Sequence, residues 1–328
     1  MLDTIFSLKV IAMYVFALEN VGLLLLMAVP GFIIAKLKKF DTEQSIKFIS
    51  VLLLYVCQPF VTFNSFLNTE YKVAVLYNMI ACFIFTLVLM TIIALVTNLT
   101  MRLFKKADNM RGVFSYAGAF GNIGYLCIPF LQVLAPNNQE VILYASTAIV
   151  AFNLLTWTLG NYLITRDLKY ISIKKAVLNP QMIAFIIALP LFLFNINFVR
   201  YTSLESLKNV IRLFADLVGP LAMTLVGIKL AETKIKDLFI DPKLYVATMF
   251  KLIISPITAF LLLLLLSLFM STRDIQLNLI TLAAMPVANN LVMFCSISNI
   301  DTKVATRLIM LSTILSVITI PIALELFV

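Results

Sequence analysis

The chain has 328 residues, of which 62% are hydrophobic and only 12% are charged, and its mean hydropathy is +1.04. So little polar surface cannot coat a water-soluble globule of this size, and the composition therefore predicts an all-α polytopic membrane protein. The formal net charge of +9 does not indicate nucleic-acid binding, because the basic residues lie between apolar segments rather than in one stripe.

Ten segments are apolar over about 20 residues, which is the length that crosses the hydrocarbon core of a bilayer. In chain order they cover residues 17–36, 47–67, 73–100, 111–134, 140–164, 176–197, 209–230, 244–270, 275–298 and 304–327. Residues 1–14 allow two interpretations, an interfacial amphipathic helix or an extension of the first span.

Basic residues in the loops predict the orientation. The loops that follow the odd-numbered spans contain eighteen Lys and Arg residues, whereas the N-terminus and the other loops contain five. Because Lys and Arg accumulate on the cytoplasmic side, we expect a multi-pass protein of the cell membrane with both termini outside. Arg212 and Lys251 lie inside spans near their ends, where we expect their long side chains to snorkel to the interface.

Prolines mark a weak internal repeat. They recur in the two halves at separations of 160, 161 and 157 residues, which pair Pro30 with Pro190, Pro59 with Pro220 and Pro129 with Pro286. Each half, residues 17–164 and 176–327, holds five spans, so the second copy must enter the membrane upside down. Inverted repeats of this kind are typical of secondary transporters. The alternative is that prolines are simply common in membrane helices.

The fourth and ninth spans are partners in this repeat, and both contain a proline beside amide side chains. We expect the helices to break at Pro129 and Pro286, so that their unpaired backbone groups face each other across a central cavity. Two helix N-termini aimed at one point would bind a carboxylate without a lysine or arginine. Asn122 and Asn290 would add donors and acceptors. The alternative is that these amides only join helices.

Three glycines recur at every third residue of the fourth span, Gly118, Gly121 and Gly124. We expect them to form one small-residue face that lets another backbone approach closely. Ordinary helix packing is the alternative interpretation of this spacing.

Metal, cofactor and enzymatic chemistry are not expected. The chain contains no histidine, and its four cysteines lie in apolar segments without paired spacing. Without histidine no Ser-His-Asp or Cys-His arrangement can form, and no phosphate-binding Gly-rich loop followed by Lys and Ser or Thr occurs. A channel would need a continuous polar pathway, which the scattered polar residues do not supply.

Several stretches, taken in order, resemble the auxin efflux carrier family, which includes plant auxin carriers and bacterial organic-anion permeases. The similarity covers nearly the whole chain. It lies in PGFIIAK at 30–36, DTE at 41–43, LYVCQP at 54–59, GN at 121–122 through IP at 128–129, GPLA at 219–222 through Gly227, and AAMP at 283–286 with Asn290.

The resemblance implies ten helices in the fold shared by bile-acid symporters and sodium/proton antiporters. Helices three to five and eight to ten would move against a scaffold of helices one, two, six and seven, and two copies could pair as a homodimer through the scaffold. The family's crossover residues are matched by Asn122, Pro129, Pro286 and Asn290. The predicted substrate site also includes Gly124 and two residues that depart from the family's common pattern, Gln58 and Asn289.

The predicted function is a secondary transporter that moves a small organic anion, a mono- or dicarboxylate, by elevator-like alternating access. The alternatives are a membrane sensor or assembly partner that keeps the carrier fold, and a sodium-coupled symporter. Asp216 and Glu19 are candidate protonatable groups for coupling. An ion pair with Arg212, four residues away on a helix, is the favoured role of Asp216, and Glu19 is expected to mark the membrane interface.

Overall fold

Nearly all of the described chain is helical. The structure is a computed structural model that describes residues 19, 22–23, 26–38, 40–104, 110–136, 138–197, 205–232 and 241–328. Residues 1–14, for which two interpretations were open, lie outside these ranges. Within them no strand occurs, and the one extended pairing is an isolated antiparallel bridge between Gly121 and Val287.

Thirteen helices make up most of the described chain. In chain order they are α1 Leu26–Lys36, α2 Thr42–Leu67, α3 Val73–Met101, α4 Arg111–Ala119, α5 Ile123–Leu134, α6 Gln139–Thr165, α7 Ile173–Val177, α8 Pro180–Leu193, α9 Glu205–Glu232, α10 Pro242–Leu266, α11 Arg273–Ala284, α12 Asn290–Ile297 and α13 Thr302–Phe327.

Six helices in the described part are long and apolar enough to cross a membrane, namely α2, α3, α6, α9, α10 and α13. A seventh candidate is α8 together with the segment Leu168–Val177, which meet at a bend of 44°. Large apolar side chains such as Tyr77, Ile84 and Leu95 are exposed on α3, as lipid contact requires. An all-helical protein with several membrane spans is therefore confirmed, and the count of ten spans stays a prediction.

Wide helical turns accompany three of the intramembrane prolines. The π-helical turns Leu53–Cys57, Ile123–Cys127 and Phe250–Ile254 each end two residues before a proline, at Pro59, Pro129 and Pro256. Proline donates no backbone hydrogen bond, and a π turn shifts the bonding register so that the helix continues past it. These turns matter for function, because residues of the candidate site lie in them or directly after them.

Two helix pairs approach each other at the backbone. A Cβ atom added at Gly227 of α9 would overlap the carbonyl oxygen of Ala28 in α1, and one added at Gly31 of α1 would overlap that of Thr224. A Cβ at Gly112 of α4 would likewise overlap the carbonyl oxygen of Leu163 in α6. Such contacts fix α1 against α9 and α4 against α6 at a distance that only glycine allows.

Aromatic rings connect α2 with α8 and α9. Phe66 of α2 packs edge-on against Phe185 and Phe192 of α8, with ring centroids 5.3 and 5.8 Å apart. Phe60 of α2 stacks on Phe214 of α9 at 4.8 Å. Helices α1, α2, α8 and α9 are thus joined to one another by side-chain and backbone contacts.

The remaining long helices are joined through α6 and α11. The Asn278 side chain of α11 donates to the Val141 carbonyl of α6 at 2.7 Å, and Gln276 donates to the Phe327 carbonyl of α13 at 2.8 Å. Asn78 of α3 donates to the Tyr144 hydroxyl of α6 at 3.2 Å. In hydrocarbon such interhelical bonds satisfy groups that water cannot reach.

Candidate functional site

Two interrupted helices cross in the interior of the protein. Helix α4 ends at Ala119 and α5 begins at Ile123, while α11 ends at Ala284 and α12 begins at Asn290. The extended residues between them pair in antiparallel fashion. The Asn122 N–H donates to the Pro286 carbonyl at 2.7 Å, and the Ala288 N–H donates to the Phe120 carbonyl at 2.9 Å. Backbone groups freed by one break are therefore satisfied by the other.

The first break does not lie at Pro129, and that prediction was wrong. The extended residues are Phe120–Asn122, and Pro129 lies seven residues further on, inside α5. The π turn Ile123–Cys127 accommodates the proline without a break. The chain is extended at Gly121 because the backbone groups on either side of it bond to the segment around Pro286. The second break was located correctly, at Pro286.

The prediction of one glycine face was also wrong. Gly118, Gly121 and Gly124 lie in three different conformations, a helix, an extended break and a π turn, so they face different neighbours. Gly118 faces the Thr97 side chain, and Gly121 faces the Lys251 and Met285 side chains. Gly124 faces the Gln58 amide. The backbone-level approach occurs at Gly112 instead.

Ser312 of α13 forms a hydrogen bond with the backbone of the second break. Its hydroxyl accepts a hydrogen bond from the Val287 N–H at 3.0 Å and donates to the Ile309 carbonyl at 3.0 Å, and both residues of the pair are buried. The extended residue Val287 has no helical partner for this N–H, so the serine completes the bonding of the break.

We expect Ser312→Ala to destabilise the protein by about 1–3 kcal/mol, because it leaves the buried Val287 N–H without a partner. The midpoint of thermal unfolding in detergent measures this. Thr313→Ala is the matched control, since the Thr313 hydroxyl bonds only to the Ile309 carbonyl of its own helix. Equal midpoints for the two variants would show that Ser312 does not support the break.

Unpartnered amides lie at the crossing. Asn122 and Gln58 are 4% and 3% exposed, and within the described ranges neither side-chain amide has a hydrogen-bond partner. The Gln58 nitrogen lies 2.9 Å from the position of a Cβ at Gly124, which places α2 directly against the α5 N-terminus. Asn290 is half-buried and begins α12. Neither amide is among the side-chain groups that are both fully buried and without a partner, so both remain open to a polar ligand.

Lys251 was expected to snorkel, and the structure contradicts this. It is 1% exposed and lies in the π turn of α10 that precedes Pro256. Its ammonium donates to the Ala283 carbonyl at 2.8 Å and to the Ser255 hydroxyl at 3.4 Å. A Cβ at Gly121 would lie 3.1 Å from the ammonium nitrogen. The Lys251 nitrogen therefore lies at the crossing, as a polar group that the predicted anion site did not include.

Asn289 is held by a second lysine. The Lys229 ammonium of α9 donates to the Asn289 side-chain oxygen at 3.0 Å, and this bond connects α9 with the residue that precedes α12. The Asn289 oxygen is thereby satisfied, while its amide group remains a donor. No sequence pattern indicates this contact, because the two residues are sixty positions apart.

A cavity of about 560 Å³ opens between α1, α2 and α9 on one side and α5 and α6 on the other. Pro129 lies at its wall beside Gly219, whose Cβ position would be 3.8 Å from the Pro129 Cβ. The polar lining consists of four amides and three charged groups, from Asn64, Asn68, Gln132, Gln139, Lys208, Arg212 and Asp216. A lining with more cations than carboxylates attracts anions.

The two candidate coupling residues differ in position. Asp216 accepts from Arg212 at 3.4 Å across one helical turn, which confirms the predicted ion pair, and both side chains border the cavity. Glu19 is exposed and does not border the cavity. Among the described residues no three His, Cys, Asp or Glu side chains lie close enough together to hold a metal ion.

Comparison with known proteins agrees with this architecture. Two stretches of the chain, residues 16–173 and 164–324, each match the family described as membrane transport protein, and together they cover almost the entire sequence. A double match of this kind is consistent with two repeats. No curated protein matches the chain. The chain is an integral membrane protein and belongs to this transporter family, the auxin efflux carriers.

Proposed function

We propose that the protein is a secondary transporter that carries a small organic anion, a mono- or dicarboxylate, through elevator-like alternating access. The observation that carries this proposal is the crossing of the two interrupted helices at the bridge between Gly121 and Val287. The ten-span architecture, with the inverted repeats 17–164 and 176–327, belongs to the same proposal.

The chemistry of the crossing favours an anion. Helices α5 and α12 both begin at it, and the N–H groups in the first turn of a helix carry partial positive charge. The Lys251 ammonium lies against the C-terminal end of α11, where it offsets the partial negative charge of that end. Two helix N-termini and one lysine therefore outweigh the C-terminal end of α4, which has no lysine on it, and this balance suits a carboxylate.

The packing supports a division into two bodies. Glycine contacts at the backbone fix α1 to α9 and α4 to α6. Between these groups the contacts are made by side chains, as at Gly124 against the Gln58 amide and at Gly219 against Pro129. Because side chains can exchange partners whereas overlapping backbones cannot slide, we assign α1, α2, α8 and α9 to a scaffold and the other long helices to the mobile unit.

The position of the cavity supports an outward-open state. It is bordered by residues 135 and 136, between the fourth and fifth spans, and by Lys208, before the seventh. The charge distribution of the loops assigns this side to the exterior. On this assignment the transporter is open outward, and the bond between Lys229 and Asn289 closes the inner side.

Uptake into liposomes tests the proposal. We expect purified protein to catalyse saturable uptake of at least one of radiolabelled lactate, pyruvate, malate and succinate, with protein-free liposomes as the control. Saturation is required because each carrier cycle moves a bound solute. Replacing Na⁺ by choline should leave the rate unchanged.

Three results would contradict the proposal. Absence of uptake with all four anions would reject carboxylate transport. A current that does not saturate would indicate a channel. Ligand-induced thermal stabilisation without any flux would indicate a sensor that keeps the carrier fold.

A further inference from the structure

Lys251 lies at the one place where both interrupted helices and a third helix meet. It projects from the π turn Phe250–Ile254 of α10 and contacts the Ala283 carbonyl in the last turn of α11. On its other side it packs against Gly121 in the first break, where any Cβ would come within 2.9 Å of its Cε. The glycine is therefore what allows the ammonium to reach the crossing.

No carboxylate among the described residues pairs with this lysine. In the described part of the chain Lys251 forms no ion pair, and its hydrogen bonds go to a carbonyl and a hydroxyl. The three predicted spans that meet here, 111–134, 244–270 and 275–298, contain no Asp or Glu. A buried charge without a countercharge opposes folding, and intramembrane charges of this kind are typically functional.

The contact with Ala283 indicates what the ammonium replaces. In carriers with interrupted helices, the C-terminal ends of half-helices and nearby free carbonyls coordinate a coupling cation such as Na⁺. Here the corresponding carbonyl already binds a tethered cation at 2.8 Å. A lysine side chain cannot diffuse away as a bound ion can, so its nitrogen is available at this carbonyl in every transport cycle.

We infer that Lys251 is the fixed counter-cation of the transport site: its ammonium occupies the place of a coupling Na⁺, and the anionic cargo is the countercharge that neutralises it. This inference rests on the proposed function. Asn122, Gln58 and the two helix N-termini orient the carboxylate, and Lys251 supplies the net charge.

The charge of the ligand provides the test. The electrostatic free energy of binding is proportional to the charge of the ligand. If removing the lysine lowers the affinity for a monoanion by a given factor, it should therefore lower the affinity for a dianion by the square of that factor. Inhibition of radiolabelled carboxylate uptake is measured with unlabelled lactate and malate at constant ionic strength. In Lys251→Met we expect about tenfold weaker lactate binding and about a hundredfold weaker malate binding.

Two controls separate this role from a structural one. Lys208→Met removes the same charge from the cavity lining, where water and salt screen it, so both anions should weaken by less than about threefold. Lys251→Met should unfold at a temperature no lower than the wild-type protein, because methionine fills similar space without a buried charge.

The outcomes are distinct. Equal weakening of lactate and malate in Lys251→Met, or a wild-type protein that requires Na⁺, overturns the inference and leaves the transporter proposal in place. A wild-type protein that neither binds nor transports any carboxylate overturns the transporter proposal and the inference with it.

Discussion

Replacing Asn122 by alanine should reduce carboxylate transport by about 10- to 100-fold, because a hydrogen bond to a charged group contributes about 1.5–3 kcal/mol. The side-chain amide is 4% exposed and has no partner among the described residues, so a bound anion is what would satisfy it. The Asn122 backbone N–H, which bonds to Pro286, is kept in the variant. Initial uptake rates in liposomes measure the effect.

Asn98→Ala is the matched control for this substitution. Asn98 is a half-buried amide near the end of α3, and its oxygen accepts only a long bond of 3.4 Å from Ser115. We expect its transport rate to stay within about twofold of wild type. Asn290→Ala should behave like Asn122→Ala. If both crossing variants transport at the wild-type rate, the anion does not bind where the helices cross.

Gly227→Leu should severely damage folding. The first carbon of the new side chain would overlap the Ala28 carbonyl oxygen, a backbone atom that cannot move aside without separating α1 from α9. Overpacking typically costs about 1–3 kcal/mol, and a clash with backbone belongs at or above the upper end of that range. We expect most of the protein to be lost as aggregate, measured by size-exclusion chromatography in detergent.

Gly22→Ala provides the comparison, because no atom of the described residues lies within 4 Å of the added Cβ. That variant should elute like the wild-type protein. Gly227→Ala should be intermediate, with a lower unfolding midpoint than Gly22→Ala. A Gly227→Ala protein as stable as the wild type would mean that α1 and α9 are not in backbone contact, and the rigid scaffold would lose its main support.

The second break could be predicted from the sequence and the first could not. Pro286 is followed by Val287, whose N–H donates to the Ser312 hydroxyl of another helix. The helix is therefore interrupted at the proline itself. Pro129 follows a π turn, which accommodates it. No sequence pattern around Ile123 predicts that turn. Its position depends on the backbone groups that hydrogen-bond to the other break.

The position of Lys251 required the structure for a different reason. Its span was expected to begin at residue 244, which would bring the lysine close to the interface. In fact α10 begins at Pro242, and nine residues at 1.5 Å each place Lys251 roughly 13 Å into the helix. That depth exceeds the reach of its side chain. A lone cation before Pro256 in an otherwise apolar stretch was the available signal.

Pairwise contacts between distant residues were the least predictable part of the site. Lys229 and Asn289 meet because a long lysine side chain of α9 reaches the residue before α12, and neither residue lies in a pattern that identifies the other. By contrast, the ion pair between Arg212 and Asp216 follows directly from helical spacing. Local geometry could therefore be read from the sequence, whereas contacts across the bundle could not.

A cryo-EM map of the protein with a transported carboxylate from the panel of four decides whether the anion binds where the helices cross. We expect density for the anion within hydrogen-bonding distance of the Asn122 and Asn290 amides, on the side of the crossing that faces Lys251. Density confined to the outer cavity, at Lys208 and Arg212, with none where the helices cross, would contradict it.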